Sequence, residues 1–171
     1  MDEVVGTQRA GAGSVAAPAA PSPLSGLSLS GRYEHRVDRK GRLVLPAAFR
    51  AHFSAGGHLQ QWQGTCLTLF TPGGWEAWLA YNREQFKAGG HNASSLVRRL
   101  RSQADMVEID GQGRFVMPPR FRVLAPLDHP VTVLGQHDRV EIWLPERLDA
   151  DDPGAGNVIE LNMDDYENHA R

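Results

Sequence analysis

The chain has 171 residues, 41% of them hydrophobic and 22% charged, with a formal net charge of −2; it can build one ordinary domain or two small ones, and it is not a uniformly basic nucleic-acid binder. A single cysteine, Cys66, excludes an intramolecular disulfide and a multi-cysteine zinc site, and fits a reducing compartment. No apolar run approaches the roughly 18 residues of a membrane span, and the Ala, Gly, Pro and Ser-rich start lacks the apolar segment of a signal peptide, so a cytoplasmic protein is expected.

Residues 1–28 carry too little bulky apolar surface to offset the entropy of ordering them and are expected to be a disordered extension. From Leu29 the pattern changes. Tyr33–Val37 reads as a strand, Asp38–Gly41 as a tight turn and Arg42–Leu45 as a returning strand. The Asp38 carboxylate can accept backbone amides two residues on, and Gly41 suits a position with positive φ. Pro46 opens a short helix to Phe53, since its missing amide hydrogen is harmless in a first turn. Strands are expected over His58–Trp62 and Cys66–Phe70, joined at Gln63-Gly64. Thr71 and Pro72 look like the cap and first residue of a helix to about Phe86, with Trp75, Trp78 and Leu79 on one packing face. Ser94 is expected to cap a second helix through Arg101, placing Leu96, Val97 and Leu100 together and Arg98, Arg99 and Arg101 toward solvent.

The order then recurs. Met106–Ile109 reads as a strand, Asp110–Gly113 as a turn, Arg114–Met117 as a strand, and a short helix starts at Pro118. Val131–Leu134 and Arg139–Trp143 supply the last two strands. The duplicated stretch is VDRKGRLVLPAAFR at Val37–Arg50 against IDGQGRFVMPPRFR at Ile109–Arg122, displaced by 72 residues and identical at seven of fourteen positions. The identical residues are Asp38/Asp110, Gly41/Gly113, Arg42/Arg114, Val44/Val116, Pro46/Pro118, Phe49/Phe121 and Arg50/Arg122. Turn residues, apolar alternation and the terminal Phe-Arg are kept together, so the repeat sets the architecture. Beyond about Asp149 the chain turns acidic and Gly-rich, and residues 150–171 are expected to be a mobile tail.

Charge follows the repeat. Arg32–His52 carries a net +4 and Arg98–Arg122 a net +3, whereas Asp138 to the end carries −7. Basic character confined to the two motifs is what a local surface facing a polyanion requires. Arg42 and Arg114 would project from rigid strands, with Arg36, Arg39 and Lys40 beside the first. Each guanidinium offers a planar fork for phosphate oxygens or guanine O6 and N7, and a hairpin or two-stranded ribbon fits the major groove. Each Asp-Arg pair can also simply close its own turn, which is compatible with the first reading. Asp38, Gly41, Asp110 and Gly113 are accordingly read as turn-shaping. Catalysis has little support: Asp38 and Asp110 lack a nucleophile or orienting group, the seven histidines lack metal-ligand spacing, and Cys66 sits in an apolar strand where an inert thiol is the default. No catalytic residue, metal or cofactor is expected.

Gly31–Arg50 (GRYEHRVDRKGRLVLPAAFR), Asp110–Pro118 (DGQGRFVMP), Val133–Gly135 and Val140–Trp143 together resemble the MraZ family of bacterial transcriptional regulators. Its hallmark is a doubled Asp-x-x-x-Arg motif, each copy in a unit similar to the swapped-hairpin domain of AbrB and SpoVT. The resemblance covers about Leu29 to Leu148. It implies an α+β fold with a barrel-like β core of two tandem units, 29–86 and 104–149, joined by a helical segment, 87–103. It further implies a ring-forming homo-oligomer that binds double-stranded promoter DNA at direct repeats and represses the division and cell-wall gene cluster, with a nucleoid-associated location and no small-molecule substrate. Mapped onto this chain, the motif arginines are Arg42 and Arg114 and the motif acids Asp38 and Asp110. Gln112 stands where the first copy has Lys40, which gives the first copy more positive charge. Departures are the long N-terminal extension, the acidic tail and Leu29 where the family often has phenylalanine. Two rival functions remain, an antitoxin-type module of the same superfamily and a scaffold for division proteins that binds no DNA.

Overall fold

Exposed and inward residues alternate along Arg32–Val37, as in a half-buried strand. This is β1, the first of eight strands in the computed structural model, which describes residues 28–151. It is followed by β2 (Arg42–Val44), β3 (Gly57–Trp62) and β4 (Cys66–Phe70), then helices α1 (Pro72–Ala88) and α2 (Ala93–Gln103). The second half supplies β5 (Ala104–Val107), β6 (Arg114–Val116), β7 (His129–Gln136), β8 (Arg139–Trp143) and helix α3 (Pro145–Asp151). The N-terminal extension and nearly all of the acidic tail lie outside the described residues.

Six strands form one antiparallel sheet in the order β1-β7-β8-β4-β3-β5, and β2 pairs with β6 in a separate two-stranded ribbon. Exchanging each strand with its repeat counterpart (β1 with β5, β2 with β6, β3 with β7, β4 with β8) returns the same sheet read from the other end. The repeats are therefore interleaved: β1 lies on β7 and β5 on β3. One apolar core serves both, built from Leu43, Phe49 and Leu69 of the first half and Phe115, Phe121 and Ile142 of the second. Every residue of β4 is buried, because the helices cover its other side. There Trp75 stacks on Trp78 at 5.2 Å between ring centroids and packs against Phe70, so the aromatic face of α1 is packing, as its spacing predicts. Cys66 is fully buried, and burial pushes its thiol up to about 12, which leaves it protonated and unreactive at neutral pH.

Several expectations are corrected. The core is not a closed barrel: the six-stranded ladder ends at β1 and β5 without joining. The motif strands do not form a hairpin ladder either. After the turn, β2 leaves β1 and pairs with β6, because only there can Leu43 and Phe115 lie opposite each other over the shared core. The strand expected at Met106–Ile109 is Ala104–Val107, since its partner β3 begins at Gly57, opposite Val107, and the preceding Gly56 turns away at φ 84°. Helices expected from Pro46 and Pro118 are reduced to 3₁₀ turns at Arg50–Phe53 and Pro119–Phe121. Asn92 caps α2 in place of Ser94, its Oδ1 accepting the amides of Ser94 at 3.0 Å and Ser95 at 3.3 Å. Helix α3, with proline at its start, is an element the sequence reading did not anticipate.

Candidate nucleic-acid interface

The two motif turns have nearly the same geometry. In the first, Asp38 Oδ1 accepts the amides of Lys40 and Arg42, both at 2.8 Å, and Oδ2 accepts Arg42 Nε at 2.7 Å. In the second, Asp110 Oδ1 accepts the amides of Gln112 and Arg114, both at 2.9 Å, and Oδ2 accepts Arg114 Nε at 2.7 Å. Gly41 and Gly113 hold φ of 79° and 78°, a left-handed conformation in which a side chain is strained. Hydrogen bonds from the Arg114 amide and side chain hold the Asp110 carboxyl down at about 2; those from Arg42, its amide first, lower Asp38 in the same direction. A depressed carboxylate stabilises the fold above its unfolded value and loses that contribution as pH falls through the folded one. Asp110 is thus expected to remain ionised at neutral pH and to release its turn only between about pH 4 and 2, which a carboxyl ¹³C NMR titration would follow; a midpoint near 4 would contradict the bonded geometry.

The carboxylates leave the far ends of the arginines available. Arg42 and Arg114 side chains are 36% and 34% exposed, and among the described residues their Nη atoms have no hydrogen-bond partner. The ribbon aims them. Arg42 lies opposite Val116 and Arg114 opposite Val44, so both arginines and both valines occupy the outer face while Leu43 and Phe115 point inward. Arg42 and Arg114 also line one groove of about 540 Å³ with Met106, Ile109, Val116 and Pro118.

The remaining sequence-predicted residues cluster at the first turn only. Lys40 is exposed and takes no side-chain partner among the described residues, Arg39 is 87% exposed, and Arg36 projects from β1 beside them. Both Arg36 and Arg39 reach Asp128, at 3.4 and 3.2 Å. Displaced by one repeat, the counterparts of Arg36, Arg39 and Lys40 are Glu108, Gly111 and Gln112. The second turn therefore lacks the three cations that flank Arg42 in the first.

Two arginines that sequence reasoning did not place in the site complete it. Arg50 of the first half donates from Nε to the Leu45 carbonyl at 2.9 Å, and its stem covers Gly113 of the second. Arg122 of the second half donates to the Met117 carbonyl at 3.2 Å, and its guanidinium covers Gly41 of the first. The backbone ties the same pairs together: the Leu45 amide donates to Gly113 O at 2.8 Å and the Met117 amide to Gly41 O at 2.6 Å. Each turn is thus built by one repeat and braced by the other. The available signal was the identity of Arg50 and Arg122 at the end of the motif, but nothing in the sequence says that each serves the opposite copy. Among the described residues no group of three or more His, Cys, Asp or Glu side chains could hold a metal ion, and no helix is long and apolar enough to cross a membrane.

Residues 28–95 and 100–149 match the family described as "MraZ protein, putative antitoxin-like". The chain is 39% identical over 116 residues to the transcriptional regulator MraZ of Thermomicrobium roseum, covering 68% of this chain and 81% of that protein. It is 37% identical over 117 residues to the MraZ of Roseiflexus castenholzii, with the same shares. Against the MraZ of Ligilactobacillus salivarius it is 33% identical over 135 residues, which span 79% of this chain and 91% of that one.

Proposed function

This chain belongs to the MraZ family of transcriptional regulators, and from that premise we propose that it is a non-catalytic, sequence-specific DNA-binding protein. It represses the division and cell-wall gene cluster by binding direct repeats in the promoter as a ring of identical subunits. The observation that carries the reading is the ribbon: two Asp-held arginines on one outward face, their guanidinium ends unpartnered among the described residues and a buried apolar face fixing their direction. A two-stranded ribbon fits a major groove about 12 Å wide, and an arginine fork there can reach guanine O6 and N7 while its neighbours contact phosphate. The DNA-contacting set is Arg36, Arg39, Lys40, Arg42 and Arg114, with Asp38, Gly41, Asp110 and Gly113 shaping the turns. In this reading the exchange of β2 and β6 between repeats is the swapped hairpin, so segments 29–86 and 104–149 act as an internal dimer joined through 87–103. The protein then resides in the cytoplasm at the nucleoid.

One subunit making a few phosphate contacts binds DNA weakly, on the order of 0.1 mM to 1 µM at physiological salt. Repeated boxes facing several subunits make the later contacts intramolecular, which raises avidity by roughly 100- to 10,000-fold. Direct repeats in the DNA suit a head-to-tail ring, because both preserve direction from one unit to the next.

Gel-shift titration of the DNA immediately upstream of the protein's own gene tests the proposal. Saturable retention in preference to a random duplex is expected. Affinity should also fall steeply with salt, by about one decade per decade of salt for each phosphate neutralised. A flat response from low to physiological salt would remove phosphate contacts from the reading. The antitoxin-like description of the family favours a second function, neutralisation of a toxin; co-purification with the product of an adjacent gene, without promoter retention, would establish that instead.

A further inference from the structure

Register puts Asp128 beside the first turn. The β1–β7 ladder ends with Val37 opposite His129, so the next residues outward on the two segments are Asp38 and Asp128. Their carboxylates serve different groups. Asp38 is filled by its own turn, through the amides of Lys40 and Arg42 and Arg42 Nε. Asp128 faces the solvent side: Oδ1 receives Arg36 Nη1 at 3.4 Å, Oδ2 receives Arg39 Nε at 3.2 Å, and its carbonyl accepts the same Arg36 nitrogen at 2.6 Å. Two cations of the first repeat therefore converge on one carboxylate of the second, whose side chain is 49% exposed. The residue stands in the left-handed region at φ 55°, a conformation that aspartate and asparagine adopt more readily than most residues. The second turn lacks this arrangement, because Glu108 and Gly111 replace Arg36 and Arg39 and the residue before β3 is Gly56.

We infer that the Asp128 carboxylate occupies, in the free protein, the position a DNA backbone phosphate takes between Arg36 and Arg39, and that it lowers affinity by competing for them. The inference rests on the DNA-binding reading above and assigns a residue that reading does not include. At Arg39 Nε and Arg36 Nη1 the two anions are alternatives, because each offers oxygen acceptors to those donors. The competition is weak enough to be overcome, since exposed ion pairs contribute little and are screened by salt. A phosphate carries no sequence information. Asp128 consequently reduces binding to operator and non-operator DNA alike.

The test is Asp128→Asn, which keeps the shape and tolerates the left-handed backbone while removing the charge. Fluorescence anisotropy at fixed salt, on the upstream promoter duplex and on a random-sequence duplex, is expected to show both bound roughly 3- to 10-fold more tightly, with their ratio unchanged. In an Arg36→Ala, Arg39→Ala background the gain should vanish. Asp128→Gly, which also suits positive φ, should repeat the result if the asparagine variant is poorly folded. Unchanged or weaker binding overturns the inference, as does a gain that persists without the two arginines, which would be a bulk charge effect. If the wild-type protein binds neither duplex in a salt-sensitive way, the DNA-binding reading falls and this inference with it. If it binds and Asp128→Asn does not tighten it, only this inference falls.

Discussion

Arg42→Ala should lower affinity for the upstream promoter duplex by roughly 100-fold or more at fixed salt, while leaving the fold and the assembly of subunits intact. A bidentate arginine contact to a base is worth about 1–3 kcal/mol of discrimination, or roughly 5- to 150-fold per site. In the proposed ring, several subunits engaging successive boxes would multiply the loss. Stability should change little, because the Asp38–Arg42 pair lies at the surface, where solvent screens such pairs and they contribute little. The Asp38 carboxylate also keeps its bonds to the amides of residues 40 and 42 when the side chain is removed. Arg42→Lys should be intermediate, since an ammonium supplies charge without the fork. Arg114→Ala should cost less than Arg42→Ala because Glu108, Gly111 and Gln112 stand where the first turn has Arg36, Arg39 and Lys40. Anisotropy titrations paired with gel filtration measure both effects. Equal losses from Arg42→Ala and Arg114→Ala would contradict the unequal turns, and unchanged affinity in Arg42→Ala would remove the ribbon from the interface.

What the sequence made legible was local chemistry. Asp38 and Gly41 announce a turn because carboxylate-to-amide bonds and positive φ are properties of a few adjacent residues, and the same holds for Asp110 and Gly113. The aromatic spacing of Trp75 and Trp78 likewise specifies a packed helix face. Non-local pairing was not legible. Leu43 alternates equally well in a hairpin with β1 and in a ribbon with β6, and only the shared core over Phe115 decides between them. Arg50 and Arg122 could be matched as a pair but not assigned to opposite turns. Asp128 has no motif at all; its place beside Arg36 and Arg39 is a consequence of the β1–β7 register. Closure into a barrel, which the family resemblance suggested, depends on whether β1 meets β5, and no stretch of sequence encodes that contact.

The bracing arginines lead to the largest stability effect expected at the site. Gly113→Ala should destabilise the protein by about 2–3 kcal/mol, and Gly41→Ala by about 1–2 kcal/mol. Both substitutions place a side chain in the left-handed region, which costs about 1–2 kcal/mol. They differ in what the new methyl group meets. At Gly41 it would lie 2.9 Å from Arg122 Nη2, the free end of a flexible chain that can swing aside. At Gly113 it would fall against the middle of Arg50, with Cγ at 2.9 Å and Nε and Cδ nearer still. That side chain cannot yield at its tip alone; it must leave its seat and give up the bond from Nε to Leu45 O. A hydrogen bond from a charged donor contributes about 1.5–3 kcal/mol, and partial exposure of Arg50 reduces this to about 1. Urea denaturation with an unchanged slope would give the two values. In an Arg50→Ala background the Gly113→Ala cost should shrink to the backbone component alone, a coupling of about 1 kcal/mol. Strict additivity of the two changes would mean that Arg50 does not brace the second turn. Coupling would instead show that the turn carrying Arg114 is held in place by Arg50 of the other repeat.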